Sequence, residues 1–170
     1  MTHMKTSERK RKLILNMDFQ CADLGTYVPS KNMLQRWAKA ALETQDLEQP
    51  ELELVVRVVD ELESAELNDK FRGKANPTNV LSFPFSAVTP KPLPILGDIV
   101  ICAPIIDREA SAENKNLEAH WAHMVIHGVL HLLGYDHKTP IQACAMERLE
   151  TLILNKLNFP APYLLDERNQ

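Results

Sequence analysis

The chain reads HGVLHLLGYDH from His127 to His137, and this stretch predicts a helix, its end and the loop that follows it. Residues four apart are neighbours on one face of a helix, so His127 and His131 can direct two imidazoles at one point. Gly134 tolerates a left-handed backbone and is typical of a helix end. We therefore predict a helix over Leu117–Leu133 and a following loop that returns His137 to the same point.

Three neutral imidazoles with an open fourth position are typical of a catalytic zinc site, whereas a structural zinc is usually closed by four protein ligands. The chain's three cysteines sit far apart and lack Cys-x-x-Cys spacing, so we expect reduced thiols and no thiolate ligand. Zinc lowers the pKa of its bound water toward neutrality. The motif thus predicts one catalytic zinc per chain, held by His127, His131 and His137.

Two earlier histidines share the predicted helix with the metal-binding pair. At about 100° per residue, His120 and His123 fall on the same side of the helix as His127 and His131. Ligation by three consecutive turns of one straight helix is geometrically strained. We therefore expect His120 and His123 to support a ligand from behind or to contact the substrate.

The spacing of the three histidines also resembles the metzincin protease motif. In that motif a glutamate follows the first histidine and serves as general base. Gly128 occupies this position here, so the base is missing and peptide hydrolysis by that route is disfavoured. A zinc hydrolase of metzincin-like geometry that acts on a peptide or small molecule is one alternative function.

The rest of the chain predicts one α+β domain over residues 1–170. Its length, and its 45% of hydrophobic residues, suit a single core. Strands are predicted at Leu13–Phe19, Leu52–Val59, Val80–Phe83 and Ile95–Cys102. Further helices are predicted after Pro29-Ser30, over Asp60–Lys70, from Ala103-Pro104 and from Thr139. These elements indicate a small mixed sheet of about four strands packed with helices, with the zinc-binding helix and loop in the C-terminal part.

The last helix has a well-marked start, because Thr139 and Gln142 can form a capping box around Pro140. Apolar residues at helical spacing then predict its buried face. They are Ile141, Ala145, Leu149, Leu152 and Ile153.

The charge balance restricts the partners that the chain can bind. The net charge is -4 and the pI about 5.9, so any nucleic-acid site must be a local basic patch. We expect residues 1–11 to be a flexible basic segment, not a signal peptide, and residues 160–170 to be a tail. No apolar run approaches membrane-spanning length. These features predict a cytoplasmic protein without a membrane partner.

A second informative stretch, FRGKANPTNVLSFP, runs from Phe71 to Pro84. Its cations are Arg72 and Lys74, and the planar fork of arginine suits a pair of phosphate oxygens. An ordinary polar turn has a similar composition, so the loop alone does not decide function. Besides Arg72, its candidate substrate-binding side chains are Lys74, Asn76, Thr78, Asn79 and Ser82.

Taken together, three motifs closely resemble the YbeY family of bacterial endoribonucleases. They are R-G-K-x-x-P-T-N-V-L-S-F-P at Arg72–Pro84, L-G-D-I at Leu96–Ile99 and H-G-x-L-H-L-x-G-Y-D-H at His127–His137. The resemblance implies cleavage of single-stranded RNA, 16S rRNA 3′-end maturation and ribosome quality control, with the ribosomal small subunit and its assembly proteins as partners. It further implies one zinc on the three matched histidines, a functional arginine at Arg72, and an α+β fold.

The identity of the general base is open at this point. Asp98 and Asp136 are candidates, although either could instead orient a histidine. Arg72 would offset charge that develops on the phosphoryl oxygens. A second alternative function is a non-catalytic ribosome-assembly factor with a structural metal.

Overall fold

The computed structural model describes residues 12–22 and 24–163, which form four strands and five helices. The strands are β1 (Ile14–Cys21), β2 (Glu51–Val59), β3 (Val80–Pro84) and β4 (Ile95–Cys102). The helices are α1 (Lys31–Leu42), α2 (Glu61–Arg72), α3 (Ala103–Ala112), α4 (Leu117–Leu132) and α5 (Pro140–Lys156). The predicted α+β fold is confirmed. The predicted flexible segment 1–11 and most of the predicted tail, 164–170, lie outside the described residues.

The four strands form one mixed sheet in the order β1-β2-β4-β3. Strands β1, β2 and β4 run parallel to one another, and the edge strand β3 pairs antiparallel with β4. Alternation along β2 places Leu52, Leu54, Val56 and Val58 on one buried face, which packs against the main core. The sheet is therefore the mixed four-stranded one that the sequence predicts.

Helix α4 passes through the centre of the molecule and packs against α1, α3, α5 and the strands β3 and β4. It is apolar on nearly all sides, as expected of a buried helix. From His120 to Leu132 every residue is buried except His127 and His131. Beyond its first turn, the two predicted metal ligands on this helix are thus the positions at which it reaches the surface. None of the helices in the described ranges is long and apolar enough to cross a membrane.

The end of α4 is a Schellman motif, in which two backbone N–H groups return to the last turn. The Tyr135 N–H donates to Leu130 O and the Gly134 N–H to His131 O, both at 3.0 Å. Gly134 has φ of +96°, a conformation that glycine adopts without steric cost. The chain therefore reverses where the sequence predicts, directly before His137.

Helix α5 begins with the predicted capping box of Thr139 and Gln142, but only part of its predicted buried face is confirmed: Ile153 is buried and Leu149 packs against the core. Ile141 is 84% exposed and Leu152 is 49% exposed. The face that packs against α4 is rotated from the predicted one, because it carries an acidic side chain that bonds to α4. Its buried residues are Met146, Glu150, Ile153 and Leu154.

One glycine is required where β3 and β4 pair. A Cβ on Gly97 would lie 2.2 Å from the backbone oxygen of Phe83, and φ is +137°. Steric overlap costs about 1–3 kcal/mol and left-handed strain about 1–2 kcal/mol. Gly97→Ala should therefore lower the free energy of unfolding by about 3 kcal/mol, measured by urea denaturation.

Gly73→Ala is the matched control, because Gly73 also has a positive φ, +67°, but no atom within 4 Å of the added Cβ. It should cost only about 1 kcal/mol of backbone strain. Equal losses in the two variants would show that the close contact between β3 and β4 is not what requires a glycine.

Candidate metal centre

The structure brings His127, His131 and His137 together at the C-terminal end of α4. One ring nitrogen from each lies within 4.8 Å of one from each of the others. The Nε2 atoms of His127 and His131 are 3.0 Å apart. The loop that carries His137 is held in place, since the Tyr135 hydroxyl donates to Gln45 Oε1 at 3.2 Å. The group is arranged so that it could bind a metal ion.

The hydrogen bonds at the far side of the two helical imidazoles determine which nitrogen faces the site. His127 Nδ1 lies 2.5 Å from Glu150 Oε1, and His131 Nδ1 lies 2.9 Å from the Tyr135 carbonyl oxygen. A carboxylate and a carbonyl only accept, so both Nδ1 atoms carry the protons in the neutral rings. Both Nε2 atoms then present lone pairs to each other, which repel unless they share a cation or a proton. This arrangement fits a metal bound by Nε2 atoms.

His131 is in the protonation state that a metal ligand requires. Burial lowers its pKa, and the adjacent imidazoles of His127 and His137 disfavour a further positive charge and so lower it more. The hydrogen bond to the Tyr135 carbonyl opposes this shift but does not reverse it. The imidazole of His131 is therefore neutral at physiological pH, with its Nε2 lone pair available.

Glu150 is a fully buried carboxylate that connects two histidines of α4. Its Oε1 accepts from His127 Nδ1, and its Oε2 lies 3.0 Å from His123 Nε2. The Tyr163 hydroxyl also donates to Oε2. Burial raises the pKa of Glu150, but the hydrogen bonds that it accepts from His123 and His127 outweigh burial and bring it down to about 2. Glu150 is thus ionised, and it holds His127 from behind the site.

Gly128 lies where α4 approaches the sheet most closely. The Ser82 hydroxyl donates to the Gly128 carbonyl oxygen at 3.1 Å. A Cβ on Gly128 would lie 3.0 Å from Ile99 Cγ2 and 3.3 Å from Ser82 Oγ. A side chain at this position, which holds the catalytic glutamate in metzincins, would therefore point at Ile99 and Ser82 and would require both to shift. Ser82 contacts the helix backbone next to His127.

Asn79 and His120 meet at a second acid, away from the three clustered histidines. The Asn79 amide donates to Glu109 at 3.2 Å, and His120 Nε2 lies 2.8 Å from Glu109 Oε2. Burial raises the pKa of Glu109, but hydrogen bonds from His120 and Asn79 lower it overall. These contacts join β3, α3 and α4, so in this structure the Asn79 side chain is bonded within the protein.

The loop between α2 and β3 is shaped by two buried polar residues of α2. The Ser64 hydroxyl accepts from the Thr78 N–H and donates to the Thr78 carbonyl, both at 3.0 Å. Asn68 donates to the Asn76 carbonyl oxygen at 2.7 Å. The backbone at Asn76 and Thr78 is therefore fixed from below by α2.

Arg72 and Lys74 stand at the exposed end of this loop. Within the described ranges neither side chain makes a hydrogen bond or ion pair with another residue. The Phe71 ring packs edge-on against Phe83 of β3, with centroids 4.9 Å apart. The adjacent Ser82 contacts α4, so Arg72 is connected to the histidine helix through one strand. No direct contact between Arg72 and the described histidines is present.

The two candidate bases lie in different places. Asp98 is exposed on β4 next to Ile99, which faces α4, so strand alternation places Asp98 on the opposite face of the sheet. Asp136 lies beside the site, and its Oδ1 accepts from the His137 N–H at 2.8 Å. That hydrogen bond lowers the pKa of Asp136. Of the two carboxylates, Asp136 is the one adjacent to the histidine cluster.

Comparison with known proteins identifies the family. A family model described as endoribonuclease YbeY matches residues 21–158, which include the loop before β3, the strands β2, β3 and β4 and all three clustered histidines. The chain belongs to the YbeY endoribonuclease family. It is therefore an endoribonuclease of ribosomal RNA maturation. The solution structure of TM1509 from Thermotoga maritima is 24% identical, covers 92% of this chain and 100% of its own, and gives a TM-score of 0.55, which shows a shared fold.

Glu150 is the site residue of this YbeY-family chain that the motifs do not reveal. Its signal in the sequence is a glutamate at helical spacing with Met146, Ile153 and Leu154, where an apolar residue is expected. An acid within an apolar stripe is rarely buried without a partner. The partners of Glu150 are His123 and His127 of α4.

Glu150→Gln should weaken zinc binding by about 10–100-fold, the usual effect of losing a partner that orients a metal-bound histidine. The amide keeps the shape of the side chain but loses its charge and one of its two acceptor oxygens. Zinc affinity, measured by competition with a chromophoric chelator, tests this. Glu147→Gln, an exposed change one turn earlier on α5, should bind zinc like the wild type. Equal affinities for all three proteins would contradict the role assigned to Glu150.

Proposed function

We propose that this chain is a zinc-dependent endoribonuclease that cleaves single-stranded RNA in the cytoplasm. Within ribosomal RNA maturation, we propose that it acts on 16S rRNA 3′ ends and in ribosome quality control, together with the small subunit and its assembly proteins. The convergence of two unprotonated Nε2 atoms 3.0 Å apart, with His137 beside them, carries the proposal of a metal. Membership of the family carries the proposal of RNA as substrate.

The zinc would be held by His127, His131 and His137, leaving a fourth position open. Zinc supplies a Lewis acid and lowers the pKa of a coordinated water. The protein's own contribution is to keep the histidines in one tautomer and orientation. Glu150 does this for His127 and the Tyr135 carbonyl does it for His131.

Arg72 is assigned to the substrate phosphate. An exposed guanidinium without an ion pair to any described residue retains its full capacity for a bidentate contact with phosphate oxygens. Placed there, its charge would stabilise the negative charge that develops during phosphodiester cleavage. Lys74 would add a second phosphate contact, which matters because the net charge of the chain is -4.

The remaining candidates receive narrower roles. Asn76 and Thr78 present their backbone to α2, so we assign them to the shape of the loop, with their side chains at its surface. Asn79 holds the start of β3. Asp136 is the carboxylate placed to accept a proton or to orient water beside His137.

The metal and the substrate can be tested in one experiment. The zinc-loaded wild type should cleave single-stranded RNA and leave casein intact, since a metzincin-like peptidase would need a glutamate where this chain has Gly128. His131→Ala should lose most of the zinc and the RNA cleavage together. Casein cleavage by the wild type would support a peptidase, and unchanged RNA cleavage by zinc-free His131→Ala would remove the metal from the reaction.

Arg72→Ala should keep its zinc and its melting temperature while RNA cleavage falls by about a hundredfold, the scale of losing one preorganised charge contact. Arg72→Lys should restore little, because a point charge does not reproduce a bidentate fork. Cleavage rates on a single-stranded oligonucleotide, zinc content and a thermal melt measure the three properties.

Arg148→Ala provides the control for loss of one positive charge, since Arg148 is also exposed but lies on α5. It should cleave RNA at the wild-type rate. If Arg72→Ala also cleaves RNA at the wild-type rate, Arg72 has no role in cleavage. It would then be an ordinary surface arginine that contributes about 0–1 kcal/mol to stability.

A further inference from the structure

We infer that Tyr163 is a positioning residue for the metal ligand His127 and that it acts through the Glu150 carboxylate. The inference rests on the proposed metal centre and adds to it a residue from the C-terminal end of the described chain. It makes the segment after α5 part of the site, although Tyr163 itself lies beyond the matched residues 21–158.

The geometry divides the Glu150 carboxylate into two halves with different partners. Oε1 accepts from His127 Nδ1 at 2.5 Å. Oε2 accepts from the Tyr163 hydroxyl and from His123 Nε2, the latter at 3.0 Å. With two donors on Oε2, the carboxylate is fixed about its terminal bond and Oε1 is directed at His127.

The Tyr163 hydroxyl can serve only as a donor to this carboxylate. An ionised carboxylate offers no proton, and burial together with the neighbouring Glu150 raises the pKa of the phenol. The tyrosine ring also packs edge-on against His123, with centroids 5.4 Å apart. Tyr163 therefore restrains both the Glu150 carboxylate and the His123 ring, which meet at Oε2.

The segment before Tyr163 is itself held against the helices. The Phe159 ring packs edge-on against Trp37 of α1, with centroids 6.1 Å apart. Residues 160–162 then enclose a cavity of about 180 Å³ together with His120, His123 and Leu154. The segment is thus anchored on α1 by Phe159, and Tyr163 is held by its contacts with His123 of α4 and Glu150 of α5.

Loss of the Tyr163 hydroxyl would affect metal binding through the buried Glu150 carboxylate. Without the hydroxyl, Oε2 keeps one donor, and a buried carboxylate that has lost a hydrogen bond rotates or draws in water to recover it. Either change loosens the hydrogen bond to His127 Nδ1 that orients the ligand. Losing a residue that is hydrogen-bonded to a metal ligand typically weakens metal binding by about 10–100-fold. Tyr163 reaches His127 only through Glu150, so we expect the loss of its hydroxyl to weaken zinc binding by about tenfold.

The test compares full-length Tyr163→Phe with Tyr27→Phe, which removes a hydroxyl from another exposed tyrosine. Zinc dissociation constants come from chelator competition, and thermal melts are recorded without metal. Tyr163→Phe should bind zinc about tenfold more weakly than the wild type, with a metal-free melting temperature close to it. Tyr27→Phe should match the wild type in both.

A double variant tests the route through the carboxylate. In a Glu150→Ala background, the change Tyr163→Phe should alter the zinc affinity less than twofold, because no carboxylate remains to be oriented. A full tenfold effect in that background would overturn the route through Glu150. An unchanged zinc affinity in Tyr163→Phe alone, with or without a lower melting temperature, would leave Tyr163 a structural residue only. A wild type that binds no zinc would instead overturn the metal centre, and the inference with it.

Discussion

The burial of α4 is the constraint on which the rest of the structure depends. A helix packed on nearly all sides has few positions at which it can carry out chemistry, and from His120 to Leu132 these are His127 and His131. The same burial imposes a cost, since polar side chains inside a core need hydrogen-bond partners. His120 and His123 are buried, and each obtains a carboxylate: Glu109 from α3 and Glu150 from α5.

These two acids have different consequences for the site. Glu109 connects α4 to the start of β3 and so ties the loop between α2 and β3, through Asn79, to the histidine helix. Glu150 bonds to His127 as well as His123, and so connects the core directly to the clustered imidazoles. Because a buried carboxylate must keep its hydrogen-bond donors, these contacts restrict how the side chains around Glu150 can be arranged.

Close packing between α4 and the sheet explains why a metzincin-like spacing is found without a metzincin glutamate. The helix backbone at Gly128 approaches Ile99 and Ser82 so closely that even a Cβ would be in tight contact. The metzincin base position on α4 is therefore empty, and the polar groups proposed to take part come from elsewhere: Asp136 after α4 and Arg72 at the end of α2. This is consistent with a substrate whose phosphate is approached from the loop side.

The sequence by itself determined what depends on near neighbours in the chain. The i, i+4 spacing of His127 and His131, the turn at Gly134 and the helix caps are local properties, and the structure has each of them where the pattern predicts it. Only the tertiary structure decided what depends on distant partners. The inward face of α5, the pairing of Glu150 with α4 and the opposite side taken by Asp98 follow from how elements pack, and so does the return of Tyr163. Helical periodicity could not rank these possibilities, because burying an acid is favourable only when the buried histidine donors of another helix are already present.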